Sequence, residues 1–334
     1  MLGRIVVTAG CLSLILVSIS FSQSADAYTQ ARALLSRGKY SEAARAFEQL
    51  EQKQPSMTDA LLQAAKARIH EQDYLSAQSD LTGFIAAHPQ SEDALYLLSF
   101  VYFRRNLPKQ SLQAANQAAA IKQPQPDDLK IVALDYSLLG DFDSAARYLE
   151  IARKMDPKNV EVLYYLGRAR YQQNRFDEAI VAFRSVLAID PLHVKAADNL
   201  GLALEGKGDF KSAEEAYRSA IAIAPKVNER YERPWLNLGK LLAHRNDVKN
   251  AIPEFEKALQ INPDSAEGLL ELGKAEMAVN DLQRARRHLE RSVELDANST
   301  AGHYSLARLY KKIGEDRLAE REFALTQKLN QTQH

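Results

Sequence analysis

Cysteine is nearly absent. Cys11 is the only one in 334 residues, so no intrachain disulfide and no cysteine-based zinc site can form. Net charge is absent too: 43 Lys+Arg balance 43 Asp+Glu. That removes the strongly basic footprint of a nucleic-acid binder. Glycine (14) and proline (11) are too scarce for a collagen-like or low-complexity chain. What remains is ordinary folding material, with 46% hydrophobic and 26% charged residues, enough apolar surface to build a core.

The N-terminus is different. Arg4 is the single charge before Ser24, and Ile5 to Ile19 forms a nearly unbroken apolar run that gives way to small polar residues. A basic start, an apolar stretch and a small-residue exit form the layout of a secretory signal peptide. The run is shorter than the roughly 20 residues of a membrane span. Residues 1–24 are therefore expected to be a signal peptide, with an uncleaved anchor as the alternative. Cys11 sits in Thr8-Ala9-Gly10-Cys11, a partial match to a bacterial lipidation site. Thr8 stands where leucine belongs, and the apolar run continues well past the cysteine, so lipidation is not the favoured reading.

From residue 24 to residue 333 one unit recurs, and internal periodicity of this length signals a repeat architecture. Leu-Gly pairs stand at 166–167, 200–201, 238–239 and 272–273. Repeats start at 24, 58, 92, 126, 160, 194, 232, 266 and 300, each step being 34 residues except for the 38 between 194 and 232. Within a unit, apolar residues fall three and four apart, which predicts two helices. The fifteenth residue is Gly38, Gln72, Asn106, Gly140, Asn174, Gly208, Asn246, Asn280 or Gly314, a column suited to a left-handed helix terminus. Pro55, Pro89, Pro157, Pro191, Pro225 and Pro263 then close the second helix.

Small residues occupy the eighth position (Ala31, Ala65, Ser99, Ala133, Gly167, Gly201, Gly239, Gly273, Ala307), and Ala or Ser occupies the twentieth throughout. Such columns allow the two helices to approach closely, with Phe47, Phe183, Tyr217, Phe255 and Phe323 expected to fill the space beside them. Repeat three departs from the pattern, with Ser111, Ala115 and a displaced Pro124. The four extra residues before Trp235 predict an irregular junction over 226–233, and Pro253 predicts a kinked or shortened helix start.

These residues resemble the tetratricopeptide repeat, whose pattern is Trp-x2-Leu-Gly-x2-Tyr, then Ala-x3-Phe, then Ala and Pro. Repeat seven fits best, with Trp235, Leu238, Gly239, Leu242, Ala251, Phe255, Ala258 and Pro263. The resemblance implies an all-α fold, a right-handed α-solenoid superhelix of helix-turn-helix repeats. It implies that the first helices line a concave groove and that the function is binding other proteins. It implies no catalysis and no cofactor.

Motifs of other chemistries fail on context. Gly201-Leu-Ala-Leu-Glu-Gly206-Lys207 imitates a phosphate-binding loop, but Gly208 replaces the Mg²⁺-binding hydroxyl and Gly201 falls mid-helix in the repeat frame. The histidines at 70, 88, 193, 244, 288, 303 and 334 form no zinc-binding spacing, and no metal is expected. Asp59, Asp93, Asp127, Glu161 and Glu267 begin first helices, where they complement the positive helix terminus.

The expected binding groove follows from two columns. The ninth residue of each repeat is Arg32, Lys66, Phe100, Leu134, Arg168, Leu202, Lys240, Lys274 or Arg308: six basic, none acidic. The fifth is tyrosine at Tyr28, Tyr96, Tyr164 and Tyr304, one helical turn away, and Asn199 and Asn237 lie one residue beyond the fifth position. Basic and amide donors between aromatic faces suit acidic or C-terminal peptide segments. The lysine, asparagine and arginine set of the family's chaperone-tail clamp is not found. The expected function is a non-catalytic interaction scaffold outside the cytoplasm, in a bacterial periplasm or secreted, holding peptide segments or partner subunits. The alternative is an accessory subunit of a polysaccharide-export, secretion or outer-membrane assembly complex. Neither nucleic acid nor a cofactor is among the expected partners, and a membrane enters only through an uncleaved signal or a membrane-complex partner.

Overall fold

The computed structural model describes residues 25–54, 59–227 and 230–332. The expected signal peptide at 1–24 lies outside them. Eighteen α-helices and no strand occur among the described residues. They are α1 (25–36), α2 (Tyr40–Lys53), α3 (Asp59–His70), α4 (Tyr74–Ala87), α5 (Glu92–Arg104), α6 (Pro108–Ala119), α7 (Pro126–Leu138), α8 (Phe142–Met155) and α9 (Val160–Gln172). They continue as α10 (Phe176–Ile189), α11 (Val194–Gly206), α12 (Phe210–Ile223), α13 (Arg233–His244), α14 (Val248–Ile261), α15 (Ala266–Ala278), α16 (Leu282–Leu295), α17 (Thr300–Lys312) and α18 (Asp316–Thr332). The chain divides into two compact units, Met1–Tyr165 and Leu166–His334.

The turn inside each helix pair has one chemistry. All nine residues of the Gly/Asn column take positive φ, from 57° at Asn106 to 85° at Gly208. One of the nine is Gln72 (62°), a departure from the residues that reach this region with least strain. The next helix starts two residues later. Its first turn is capped by Asp73, Asp141, Asp209 or Asp281, each accepting from the backbone N–H three residues on. Ser91, Ser265 and Ser299 cap first helices in the same way.

Packing explains the small columns. Ala31, Ala65, Ala133 and Ala307 are fully buried, as are Ala43, Ala77, Ala145, Ala179, Ala213, Ala251 and Ala285 opposite. A Cβ built on Gly167, Gly201 or Gly239 would lie 2.6, 2.4 or 2.5 Å from the ring of Phe183, Tyr217 or Phe255. Those three rings and Phe47 are fully buried. Phe323, in the same slot of the ninth repeat, is 37% exposed and meets the Tyr304 ring at 6.0 Å.

In repeat three, two serines take the places of the small apolar pair. Ser111 donates to the Ser99 carbonyl at 2.8 Å and the two hydroxyls lie 3.0 Å apart, so both buried hydroxyls are paired. Helix α6 is two residues shorter than α4, and the chain turns before Pro126 rather than at Pro124. Pro253 does not shorten α14, which keeps the 14 residues of α12 and α16. Pro253 is exposed, so the carbonyl deprived of its bond is left to water.

The long junction runs through a 3₁₀ turn, Ala224–Val227, with α13 starting at Arg233. Residues 228 and 229 of the expected irregular stretch lie outside the described residues. Tyr231 and Trp235 pack on Val194, Ala197, Ala220, Ile223 and Ala224. The Tyr231 hydroxyl donates to Asp198 at 3.0 Å and the Asn237 amide donates to its other oxygen at 2.9 Å. A buried carboxylate thus ties repeat six to repeat seven.

Candidate partner-binding site

First helices of successive repeats touch one another: α5 meets α7 in the first unit, and α11–α13, α13–α15 and α15–α17 meet in the second. Their side chains therefore share one face within each unit, and the basic and tyrosine columns are carried on these helices. Each unit has a cavity on that face.

The cavity of the first unit holds about 580 Å³ between α3, α5 and α7. Lys66 and Tyr96 line it, together with Asp93, Phe100, Asp128, Lys130 and Ile131. Tyr96 donates its hydroxyl to the Lys122 carbonyl at 3.1 Å. Burial, with Asp128 and Glu92 adding, pushes that phenol up to about 12. Burial also raises the Asp128 carboxyl, and the neighbouring Asp127 and Asp93 add to the rise against the Gln125 N–H. Lys130 is already engaged by Asp127 and Glu161.

The cavity of the second unit, about 590 Å³, lies between α15, α17 and α18. Lys274, Arg308, Lys311 and Lys312 line it with Met277, Ala278, Ser305 and Phe323, and no carboxylate does. Lys274 pairs with Glu271 at 2.9 Å and Lys311 with Asp316 at 2.7 Å, both partners standing outside the lining. Lys312 donates to the Met277 carbonyl, and the Arg308 guanidinium lies 6.0 Å from the Tyr304 ring. Neither has a carboxylate partner among the described residues. Tyr304, 48% exposed, meets the Phe323 ring edge-on at 6.0 Å.

The remaining sequence-predicted residues are spread more widely. Arg32 is exposed and lies close enough to Tyr28 to favour its phenolate, against the dominant effect of burial. Tyr28 packs on Phe47 at 5.5 Å. Tyr164 is half-buried against Tyr165 in the first unit, and Arg168 is exposed in the second. Lys240 pairs with Glu267 at 2.9 Å, and Arg233 shares that carboxylate. Although burial favours its neutral form, these two cations outweigh it and hold Glu267 below the usual carboxylate range. Asn199 donates to the Lys195 carbonyl at 2.6 Å.

Asn237 corrects the sequence reading. It is buried, and its amide donates to Asp198, so it does not stand on the open face. Asn199, with the same offset in repeat six, stays half-buried, so the difference comes from the long junction, which brings Asp198 against Asn237. Burial pushes Asp198 up to about 6 against its two hydrogen bonds. The sequence reading also missed Lys311, Lys312 and Met277. These lie three or four residues beyond the basic column, at the end of the first helix, and line the cavity. Among the described residues no group of three or more His, Cys, Asp or Glu could hold a metal. No described helix is long and apolar enough to cross a membrane.

Family models described as tetratricopeptide repeat match residues 133–194, 194–227 and 242–309, and one described as outer membrane lipoprotein matches residues 21–128. The chain is 25% identical over 248 residues to the peroxisomal targeting signal receptor of Kluyveromyces lactis, an alignment covering 73% of this chain and 37% of that receptor. It thus spans little more than a third of that relative. A tetratricopeptide repeat protein from Parabacteroides merdae superposes with TM-score 0.62 at 18% identity, over 75% of this chain and 98% of that one. The C-terminal part of a repeat protein from Cytophaga hutchinsonii gives 0.58 at 19%, over 73% and 99%. At such identities the structures speak for the fold alone. The fold they share is the one that the glycine turns and small-residue columns build here, and the chain is a tetratricopeptide repeat protein.

Proposed function

We propose that the chain is a non-catalytic scaffold outside the cytoplasm that holds peptide segments or partner subunits against the face formed by its first helices. The observation that carries this reading is the basic ninth column. Arg32, Arg168, Lys240, Lys274 and Arg308 are exposed, and no acidic residue interrupts the series. Repeated exposed cations, of which Arg32, Arg168 and Arg308 follow a tyrosine by one helical turn, favour acidic or C-terminal segments. A relative named as the receptor of a targeting signal supports recognition of short segments. The apolar stretch from Ile5 to Ile19 and the outer membrane lipoprotein match both favour export from the cytoplasm.

That match also favours a second reading, an accessory subunit of a polysaccharide-export, secretion or outer-membrane assembly complex. Co-purification from envelope extracts separates the two, since the accessory subunit brings outer-membrane components with it.

The test of the groove is a joint Arg168→Glu, Lys240→Glu and Lys274→Glu variant. All three side chains are exposed, so the circular dichroism spectrum is expected to stay native. The partner captured by the unaltered chain is expected to be lost. Undiminished capture would move the interface to the face formed by the second helices.

A further inference from the structure

The carboxylate-free cavity of the second unit is more specific than the groove around it. Its lining combines four cations with Met277 and an exposed Phe323. Lys274 and Lys311 are matched by carboxylates outside the lining, whereas Arg308 and Lys312 lack one among the described residues. A single ligand carboxylate would leave one of these two unmatched.

Arg308 and Lys312 are four residues apart on α17, a rise of about 6 Å. Side chains at alternate positions of an extended segment point the same way and stand about 6.6 Å apart. The two spacings agree. The volume, about 590 Å³, falls inside the roughly 300–1,000 Å³ of ligand pockets.

We infer that this cavity takes an internal, extended acidic segment of a partner protein. It carries carboxylates at two alternate positions for Arg308 and Lys312, and an apolar side chain two residues further on for Met277 and Phe323. This rests on the scaffold reading above and adds the place and pattern of recognition. No free C-terminus takes part. Phosphate or a sulfated polysaccharide would supply the anions but would leave the Met277 and Phe323 surface without an apolar partner.

The probe is a fluorescein-labelled, C-terminally amidated peptide, Glu-Ser-Glu-Ser-Phe-Ser, read by fluorescence anisotropy on the full chain. Three results are expected. Binding weakens by at least about tenfold in Arg308→Glu/Lys312→Glu. It falls with added salt. It drops several-fold when the peptide phenylalanine is replaced by alanine. Circular dichroism checks that the variant is folded, as both altered side chains are on the surface.

No binding by the unaltered chain, or undiminished binding by the folded double variant, overturns the assignment. So does dextran sulfate displacing the peptide together with indifference to the phenylalanine, which would make the site a polyanion site. If the groove variant loses its native partner while the double variant binds the peptide unchanged, the scaffold reading survives and this inference falls.

Discussion

Gly239→Leu is expected to cost about 3 kcal/mol, at the upper end of overpacking in a well-packed core. The first added carbon would lie 2.5 Å from Phe255 Cε1 and 2.7 Å from Cδ1, inside any tolerable contact. Phe255 is fully buried, so its ring has no outward escape. Alanine is a poorer probe than leucine. Repeat one already holds Ala31 against a fully buried Phe47, so a helix pair in this family can adjust to one methyl. Three further carbons exceed that adjustment.

The double variant gives the argument its control. Phe255→Ala alone opens a cavity and costs about 3–5 kcal/mol. In Gly239→Leu/Phe255→Ala the leucine enters the vacated space, so the combined loss falls short of the sum by about 2 kcal/mol or more. Chemical denaturation followed by circular dichroism measures all three, using the first transition because repeat arrays need not unfold as one unit. Additive losses would mean that the two side chains do not share one space.

The residues in this prediction were legible before any coordinates. The small columns are periodic, and the physics of close helix approach gives them one meaning wherever they occur. The same holds for the fifteenth residue, because only a left-handed turn explains a column of glycine and asparagine. The site was less legible, for identifiable reasons. Lys240 and Lys274 fall in the basic column, but the sequence does not say that Glu267 and Glu271 already neutralise them. Glu271 lies on the same helix as Lys274, whereas Glu267 reaches Lys240 from the first helix of the next repeat. Asn199 and Asn237 hold the same place in their repeats, yet only Asn237 is buried, because only at the long junction does a buried carboxylate, Asp198, face that place. Lys312 and Phe323 are 11 positions apart on different helices, and only the bend between α17 and α18 brings both to one cavity. The regular part of the repeat was readable, and what varies between repeats was not.

The buried acid Asp135 is one of those variable positions, and Asp135→Asn is expected to stabilise the protein at pH 8 and to do far less at pH 5. Asp135 lies in the third turn of α7 with none of its surface exposed. Neither carboxylate oxygen has a hydrogen bond of ordinary geometry among the described residues, and no cation pairs with it. Burial pushes the carboxyl up to about 7, against a weaker opposing pull from the Ser111 hydroxyl. That hydroxyl already donates to the Ser99 carbonyl. In the unfolded chain the same group titrates near 3.9. Between these values the native state holds a proton that the unfolded state has released, so stability falls as pH rises. The slope is at most about 1.4 kcal/mol per pH unit. Over pH 5 to 8 the loss assigned to this residue is about 2–3 kcal/mol, and asparagine, which does not ionise, abolishes it. Asp198 is the contrast. Its pKa is also raised by burial, to about 6, but Tyr231 and Asn237 donate to it, so amidation there sacrifices an acceptor that two donors need. Urea unfolding of both variants at pH 5 and pH 8 checks the assignment. An equal gain for Asp135→Asn at both values would mean that the carboxylate is hydrated and ionised in the folded state.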